Sequence, residues 1–304
     1  MIRVEQYKKI SQFTTFGVGG RARYFCEVNN TSALIEAIVW AEQRALNWRI
    51  LAGGSNVVLR DGVIPGLCIH VVGGEITRVR GAVYYVDAGV PLARLIAYTV
   101  SRGLSGLESL SGIPGTVGGA TVGNAGAYGH SIEECVRRVR IWDGKEIRWI
   151  SKKACAFQYR ESIFKHASWI VLGVELLFKE EDKKKLLSIS KNIIAERIKK
   201  YPQGLRCPGS YFKNVLVSTI SRATIKKIDT QKIVGGKIPA GYLLEVVGAK
   251  DTRRGGVCVA SYHGNLIMNT GKGTAKDARA LARVLKGRVQ KKFGIALEEE
   301  VRYF

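Results

Sequence analysis

Two glycine-rich stretches carry the residue types in this sequence best suited to ligand chemistry. The longer one, SGIPGTVGGATVGNAGAYG, runs from Ser111 to Gly129 and has seven glycines between positions 112 and 129. Glycine is tolerated where the backbone needs a positive φ or must approach a ligand closely. Such a loop offers unobstructed backbone N–H groups, which suit a phosphate or pyrophosphate. Its embedded apolar residues are unlike a flexible Gly/Ser linker, so we interpret it as a ligand cradle.

The second stretch is LAGGSNVVLRD, from Leu51 to Asp61. Apolar residues on both sides of Gly53, Gly54, Ser55 and Asn56 predict a strand, a tight turn and a second strand. An ordinary hairpin turn accounts equally well for this pattern. Two glycine-rich turns in one chain fit a long ligand with two polar ends, such as a dinucleotide.

Hydrophobic periodicity predicts the helices that flank these stretches. One helix starts after Asn30 or Thr31, and a second lies between Pro91 and Gly103. A Lys- and Leu-rich helix is predicted over about 182–200, and another over 275–292. Thr274 and Asp277 have the spacing of a capping box at the start of that last helix.

The strands are expected between these helices. Residues 24–28 and the run into Gly53 are predicted strands, and 67–88 reads as several short antiparallel strands. Residues 136–142 and 146–150 flank Asp143-Gly144, a strong hairpin signal. A further strand is predicted over 170–178.

Composition limits the class of protein. The 304 residues are 46% hydrophobic and 24% charged, a globular balance with room for two domains or one large one. The first residues have no apolar core of signal-peptide length, and no apolar run is long enough to span a bilayer. We therefore expect a soluble cytoplasmic protein without membrane attachment. Six scattered cysteines and four dispersed histidines argue against a metal site or a disulfide framework.

The net charge of +23 is the strongest compositional signal. From residue 200 onward there are 20 Lys and Arg against 7 Asp and Glu. This excess is compatible with nucleic acid or with small anionic ligands. Most cations of the 275–292 helix surround an apolar stripe and read as a solvated face. No nucleic-acid-binding motif accompanies them, so we expect no specific nucleic-acid partner.

Seven motifs together point to one family. In chain order they are TTFGVGGRA, LAGGSNVVLRD, GIPGTVGGATVGNAGAYG, YRESIF, CPGSYFKN, SYHGNLIMN and FGIALEEEVR. They span nearly the whole chain, which resembles the UDP-N-acetylenolpyruvoylglucosamine reductase family, and within it the shorter class.

The resemblance implies an α+β fold with two domains. Residues 1–200 would form an FAD-binding domain of the vanillyl-alcohol-oxidase type, with lobes of about 1–67 and 68–200 and FAD between them. Residues 201–304 would form a smaller α+β substrate-binding domain. The cofactor contacts implied are Gly53, Gly54, Ser55, Asn56, Gly112, Ile113, Pro114, Gly118, Gly119, Asn124, Gly126 and Ala127.

The implied reaction is the NADPH-dependent reduction of UDP-N-acetylglucosamine enolpyruvate to UDP-N-acetylmuramate through bound FAD, in peptidoglycan synthesis. Arg160, Ser210 and Glu300 fall on the family's catalytic positions. Arg160 would stabilise the enolate that forms when hydride reaches the vinyl carbon, Glu300 would orient or polarise it, and Ser210 would protonate the adjacent carbon. Without the family, Arg160 fits a structural ion-pair partner equally well, while the patterns at Ser210 and Glu300 favour a turn residue and a solvated strand-end charge.

The substrate is a polyanionic small molecule, which gives the basic C-terminal third a use. Lys213, Asn214, Lys250 and Arg253 are the predicted substrate contacts, and we expect a monomer. Three residues depart from the family pattern beside this site: Val215 replaces a usual Pro, Asp251 a usual Gly, and Tyr242 a usual Trp.

Overall fold

The computed structural model describes residues 2–304. Within them the chain forms seven α-helices, together with several short 3₁₀ turns. The helices are α1 (Thr31–Glu42), α2 (Leu92–Val100), α3 (Val117–Gly123), α4 (Lys183–Lys200), α5 (Arg222–Ile225), α6 (Ala240–Val246) and α7 (Ala275–Phe293).

The same residues form twenty strands, many of them short. They are β1 (Glu5–Lys9), β2 (Arg21–Val28), β3 (Trp48–Leu51), β4 (Val57–Val58), β5 (Val63–Val71), β6 (Ile76–Arg80), β7 (Val83–Asp87), β8 (Leu104–Ser105), β9 (Gly126–Ala127), β10 (His130–Ser131), β11 (Val136–Trp142), β12 (Ile147–Ser151), β13 (Ile170–Leu177), β14 (Lys179–Glu180), β15 (Val215–Leu216), β16 (Lys237–Ile238), β17 (Arg253–Arg254), β18 (Val257–Ala260), β19 (His263–Asn269) and β20 (Arg302–Tyr303).

The backbone divides into two compact units. The first contains the chain through Gln6, Tyr24–Gly53 and Pro65–Gln203; the second contains Tyr7–Arg23, Gly54–Ile64 and Gly204–Phe304. The predicted domains, 1–200 and 201–304, differ from these units by two short N-terminal segments that belong with the C-terminal third.

One part of the first unit is built around β3, which pairs in parallel with β5, with Trp48 opposite Leu67 and Leu51 opposite His70. The predicted helix after Asn30 is confirmed as α1, and the Asn30 side chain accepts from Ala33 N–H as its N-cap. The apolar face of α1 packs in a core with residues of β2 and β5. The hairpin alternative for Gly53 to Asn56 is excluded, because β3 pairs with β5 whereas β4 pairs with β20.

The other part of the first unit is an antiparallel sheet ordered β12-β11-β13-β7-β6. The predicted Asp143-Gly144 hairpin is confirmed, with Trp142 opposite Ile147 and Asp143 Oδ1 accepting two turn N–H groups. One face of this sheet is buried in a large apolar core that also receives side chains of α2, α3 and α4. Both predicted helices, α2 and α4, are confirmed, and Asp182 caps α4.

The second unit has its own core, formed where α6 and α7 pack with the sheet β17-β18-β19. The predicted capping box is confirmed, since Thr274 and Asp277 each bond the other's backbone N–H at the start of α7. Asp61 adds a second cap, because its two carboxylate oxygens accept from Ala275 N–H (2.9 Å) and Lys276 N–H (3.0 Å). Of the helices described in residues 2–304, none has the length and apolarity needed to span a bilayer.

Candidate active site

The two glycine-rich turns meet at Gly53. A Cβ added to Gly53 would lie 2.6 Å from Gly115 Cα, closer than real side-chain carbons approach backbone. The turn at Gly53 in the shorter stretch and the loop at Gly115 in the longer one therefore stack backbone on backbone. This contact lies within the first unit, and the binding of a dinucleotide at these turns stays a prediction.

The longer glycine-rich stretch contains a helix that its composition does not predict. Thr116 caps α3 by accepting from Gly119 N–H, and Gly118 N–H donates to Ala88 O at 2.8 Å. A Cβ on Gly118 would lie 2.7 Å from Ala88 Cβ, so this glycine serves close packing of α3. The N–H groups of Gly118 and Gly119 are thus used inside the protein.

Two side chains attach the YRES segment to this stretch. Asn124, at the left-handed C-cap of α3, donates from Nδ2 to Gln158 O at 2.9 Å. Ser162, which is buried, donates from Oγ to Val122 O at 2.7 Å. The segment carrying Arg160 is therefore fixed to the glycine-rich stretch at two points.

Arg160 stands at the tip of a tight turn. Gln158 and Glu161 exchange two backbone hydrogen bonds of 3.0 Å, which leaves Arg160 with a φ of +57°. This left-handed conformation costs an ordinary residue about 1–2 kcal/mol. The Lys165 ammonium donates to Arg160 O and also lies 3.4 Å from a Glu161 carboxylate oxygen. Backbone strain held by neighbours in this way is concentrated at functional sites.

Ser210 and Glu300 come together in the second unit through backbone pairing. Glu300 N–H donates to Tyr211 O at 2.8 Å, and Lys213 N–H donates to Glu298 O at 2.9 Å. These bonds flank an antiparallel bridge between Phe212 and Glu299. Two residues 90 positions apart therefore occupy adjoining points on neighbouring extended segments, and both are half-buried.

Asn265 holds this pairing from the other side. Its buried side chain accepts from Phe212 N–H (2.9 Å) and donates to Phe212 O (2.8 Å), while its own carbonyl accepts from Tyr211 N–H. The segment after Ser210 is consequently bonded on both edges, and each such bond contributes about 1 kcal/mol.

Asn56 bonds the backbone beside Glu300. Its Nδ2 donates to Glu300 O at 3.1 Å, and its carbonyl accepts from Arg302 N–H at 3.0 Å. Sequence reasoning placed Asn56 at the cofactor only, and the structure adds this contact with the segment that carries a candidate catalytic carboxylate.

Comparison with known proteins separates the same two regions. A family model for an FAD binding domain matches residues 22–148, and one for the C-terminal domain of UDP-N-acetylenolpyruvoylglucosamine reductase matches residues 201–304. A protein of that name from Solibacter usitatus (strain Ellin6076) is 42% identical over 299 residues, covering 97% of this chain and 94% of its own length. The chain belongs to the UDP-N-acetylenolpyruvoylglucosamine reductase family.

A second relative and a solved structure agree with this membership. The protein of the same name from Thermotoga maritima is 30% identical over 295 residues, covering 97% of this chain and 96% of its own length. The crystal structure of the Thermus caldophilus enzyme superposes with a TM-score of 0.78 at 29% identity and covers 100% of both chains. The predicted two-domain α+β class is confirmed.

As a member of the UDP-N-acetylenolpyruvoylglucosamine reductase family, the chain is an FAD-dependent oxidoreductase. It reduces UDP-N-acetylglucosamine enolpyruvate to UDP-N-acetylmuramate with NADPH, in peptidoglycan synthesis.

The first unit fits the cofactor in two respects. Its glycine-rich turns are stacked without intervening side chains, and Asn124 Oδ1 is a buried acceptor with no hydrogen-bond partner within residues 2–304. A ligand hydroxyl or N–H can satisfy such an acceptor.

The other predicted cofactor residues lie on the same turns. Gly54 O and Ser55 O accept from Thr15, and Ile113 N–H closes a turn on Leu110 O. A Cβ on Gly112 would lie 3.1 Å from Arg197 Cδ of α4. Pro114 follows Ile113, while Gly126 and Ala127 form β9 and pair with β10.

The predicted substrate contacts all lie in the second unit and are scattered over several elements. The buried Lys213 ammonium bonds Glu298 at 2.6 Å, and Asn214 Oδ1 accepts from Ala240 N–H at the start of α6. Lys250 pairs with Glu245 at 3.0 Å, and Arg253 is exposed in β17. Each of these contacts stays a prediction.

The departures from the family pattern have structural counterparts. Asp251 has a φ of +59°, a left-handed conformation that explains why glycine is usual there and that Asp tolerates better than most residues. The Tyr242 hydroxyl accepts from Asp229 N–H at 3.2 Å, a bond that its phenol permits. Val215 opens β15, opposite Ile238 of β16.

The six cysteines are buried free thiols. Burial raises the pKa of Cys26, Cys68, Cys135 and Cys155 to about 12, so these thiols stay protonated. Within residues 2–304, no three His, Cys, Asp or Glu side chains are placed to hold a metal ion.

Two surface cavities of about 610 and 560 Å³ lie in the first unit, and neither is lined by a predicted site residue.

Proposed function

We propose that Arg160, Ser210 and Glu300 carry out the reduction of the enolpyruvyl group. The backbone pairing that sets Ser210 beside Glu300 is the observation that carries this proposal. FAD, once reduced by NADPH, supplies the hydride that the vinyl carbon of the substrate receives. The protein residues then have two tasks, which are to stabilise the charge that develops on the carboxylate side and to deliver one proton.

Arg160 stabilises that charge. A guanidinium held in place before the reaction stabilises an enolate more than a mobile cation does, because the site need not reorganise as charge develops. The closed turn, the Lys165 contact and the attachment through Asn124 and Ser162 supply this preorganisation.

Ser210 donates the proton to the carbon adjacent to the one that received hydride. A serine hydroxyl is a weak acid in water, so the proton transfer requires a positive, water-poor surrounding as well as good alignment. Bonds on both edges of the segment that follows Ser210 provide this alignment. Glu300, anchored by Tyr211 and Asn56, orients the enolate and the serine hydroxyl.

The UDP moiety is bound by the basic residues of the second unit. Lys213, Asn214, Lys250 and Arg253 are the proposed contacts, and the 19 Lys and Arg after residue 200 supply an attractive field for a polyanion. Lys213 exchanges its exposed partner, Glu298, for a substrate oxygen in this proposal. The enzyme works as a cytoplasmic monomer without a membrane or specific nucleic-acid partner, and light scattering on the purified protein tests the monomer.

Anaerobic spectroscopy of the protein loaded with FAD and desalted tests the function. NADPH should bleach the flavin absorbance, and the enolpyruvyl UDP-sugar should restore it with a product two hydrogens heavier. A protein that retains no flavin, or whose reduced flavin is not reoxidised by that substrate, contradicts the proposal.

A further inference from the structure

A polar cluster that is buried at Tyr211 and partly exposed at its other members adjoins the Ser210–Glu300 pairing. We call it the Tyr303 cluster; it consists of Tyr211, Tyr303, Glu299, Lys286 and Arg279. The Tyr211 and Tyr303 hydroxyl oxygens are 3.0 Å apart, and Tyr303 donates to Glu299 Oε2 at 2.5 Å. Lys286 Nζ donates to Glu299 Oε1 at 3.3 Å, and the Arg279 guanidinium carbon lies 4.2 Å from the centre of the Tyr303 ring.

The hydrogen bonds of this cluster have a single direction. Tyr303 gives its only hydroxyl proton to Glu299, so the bond between the two tyrosines must be donated by Tyr211. Burial raises the pKa of Tyr211 to about 12, and burial together with the bond to Glu299 raises the pKa of Tyr303 as well. Both hydroxyls therefore keep their protons across the working pH range, and the order Tyr211 to Tyr303 to Glu299 is fixed.

The cluster is attached to both candidate catalytic residues through the chain. Tyr211 directly follows Ser210, and Glu299 directly precedes Glu300. Tyr211 is fully buried, so close packing holds its side chain in one orientation. The backbone of Tyr303 is held separately, because Tyr303 lies in β20, which pairs with β4.

Stability alone does not account for this arrangement well. The pairing around Phe212 already has Asn265 on one edge and Glu298 to Glu300 on the other. The hydrogen bonds through Tyr303 fix the side chains of Tyr211 and Glu299, which are the chain neighbours of Ser210 and Glu300. Burying a tyrosine hydroxyl or a carboxylate costs free energy that an apolar side chain would not.

We propose that the Tyr303 cluster is a positioning device for the second half of the reaction. It holds Ser210 and Glu300 in register with one another while the substrate accepts hydride and proton. Tyr211, Tyr303 and Glu299 are positioning residues that do not touch the substrate. This inference rests on the proposed roles of Ser210 and Glu300.

The test is Tyr303→Phe, which removes one hydroxyl and keeps the ring. Rapid mixing should show flavin reduction by NADPH within about twofold of the wild type, and flavin reoxidation by the enolpyruvyl sugar slowed about tenfold, because small misplacements of reacting groups carry losses of this order. In steady state kcat should fall while KM for the sugar stays unchanged.

Two further variants separate positioning from a structural role. Glu299→Gln keeps an oxygen that can accept from Tyr303 and should retain most of the reoxidation rate, whereas Glu299→Leu should behave like Tyr303→Phe. Tyr7→Phe is the matched control, since it also removes a tyrosine hydroxyl in the second unit, at an exposed position outside the candidate site. In the protein without cofactor, Tyr303→Phe should also speed amide hydrogen exchange in residues 298–303.

The inference is overturned if Tyr303→Phe reoxidises at the wild-type rate, if it slows both half-reactions equally, or if Glu299→Gln and Glu299→Leu are equally impaired. Ser210→Ala measured alongside distinguishes the two proposals. A slow Ser210→Ala with a normal Tyr303→Phe removes the positioning role alone, and a normal Ser210→Ala removes the catalytic assignment on which it rests.

Discussion

The Arg160 turn and the Ser210–Glu300 pair are built in opposite ways. The Arg160 turn is closed by bonds among residues within five positions in sequence, with Arg160 in a left-handed conformation, and two longer-range bonds attach this turn to the glycine-rich stretch. Ser210 and Glu300 are 90 positions apart and rely on an extended ladder that also involves Asn265 and Asn56. Arg160 is therefore oriented mainly by a strained local turn, whereas Ser210 and Glu300 depend on the fold of a whole unit.

Of the variants of the Arg160 turn, those that replace Arg160 should have the largest effect on kcat. Arg160→Ala should lower kcat by about 10²–10³-fold, the usual loss when one preorganised charge-stabilising group is removed. Steady-state kinetics measure this, with Arg44→Ala, an exposed arginine of the same unit, as the control. A loss below about tenfold would show that Arg160 does not face the developing charge.

The strain itself can be separated from the charge. Arg160→Gly also lacks the guanidinium, but it accepts a φ of +57° without the left-handed penalty. We expect it to be as inactive as Arg160→Ala and more stable than that variant by about 1 kcal/mol in denaturant unfolding. Equal stability of the two variants would mean that the turn relaxes once the side chain is gone.

A Lys165 variant tests how the turn that carries Arg160 is held. Lys165→Met removes the ammonium that bonds Arg160 O while it keeps the volume of a mostly buried side chain. We expect kcat to fall about tenfold through misplacement of Arg160. Lys153→Met, at an exposed lysine nearby in the sequence, should be neutral, and an equally neutral Lys165→Met would contradict a positioning role.

Asp61 tests the long-range construction of the second unit. Asp61→Ala removes both oxygens that accept from Ala275 and Lys276 at the start of α7, and should cost about 1–2 kcal/mol of unfolding free energy. Asp61→Asn keeps one acceptor and should lose less. Urea titrations that show no difference between Asp61→Ala and the wild type would contradict this capping role.

The sequence predicts a secondary-structure element well where the residues that determine it are close together in the chain. Asp143-Gly144 predicts its hairpin, and Thr274 with Asp277 predicts the start of α7, because each signal lies within four residues. The helix α3 was missed, since glycine disfavours helices and only packing against Ala88 and a Thr116 cap make it form. The assignment of 7–23 and 54–64 to the second unit also escaped prediction, because it depends on long-range packing.

The candidate site follows the same division. Arg160, Ser210 and Glu300 were located only through family resemblance, since none of their local patterns is specific. The resemblance could not supply the partners that hold them, because Lys165, Asn265 and Tyr303 become visible only when the chain is folded. The glycine-rich turns are singled out by their composition alone, and their contact with a ligand stays a prediction.

Pre-steady-state kinetics of Ser210→Ala test the central claim most directly. The account predicts that NADPH reduces the flavin of this variant at the wild-type rate, while reoxidation by the enolpyruvyl sugar falls by at least about 10²-fold, because the proton donor is missing. Ser218→Ala, at an exposed serine eight residues further on, should leave both half-reactions unchanged. Wild-type reoxidation in Ser210→Ala would contradict the account, because the proton would then come from another group.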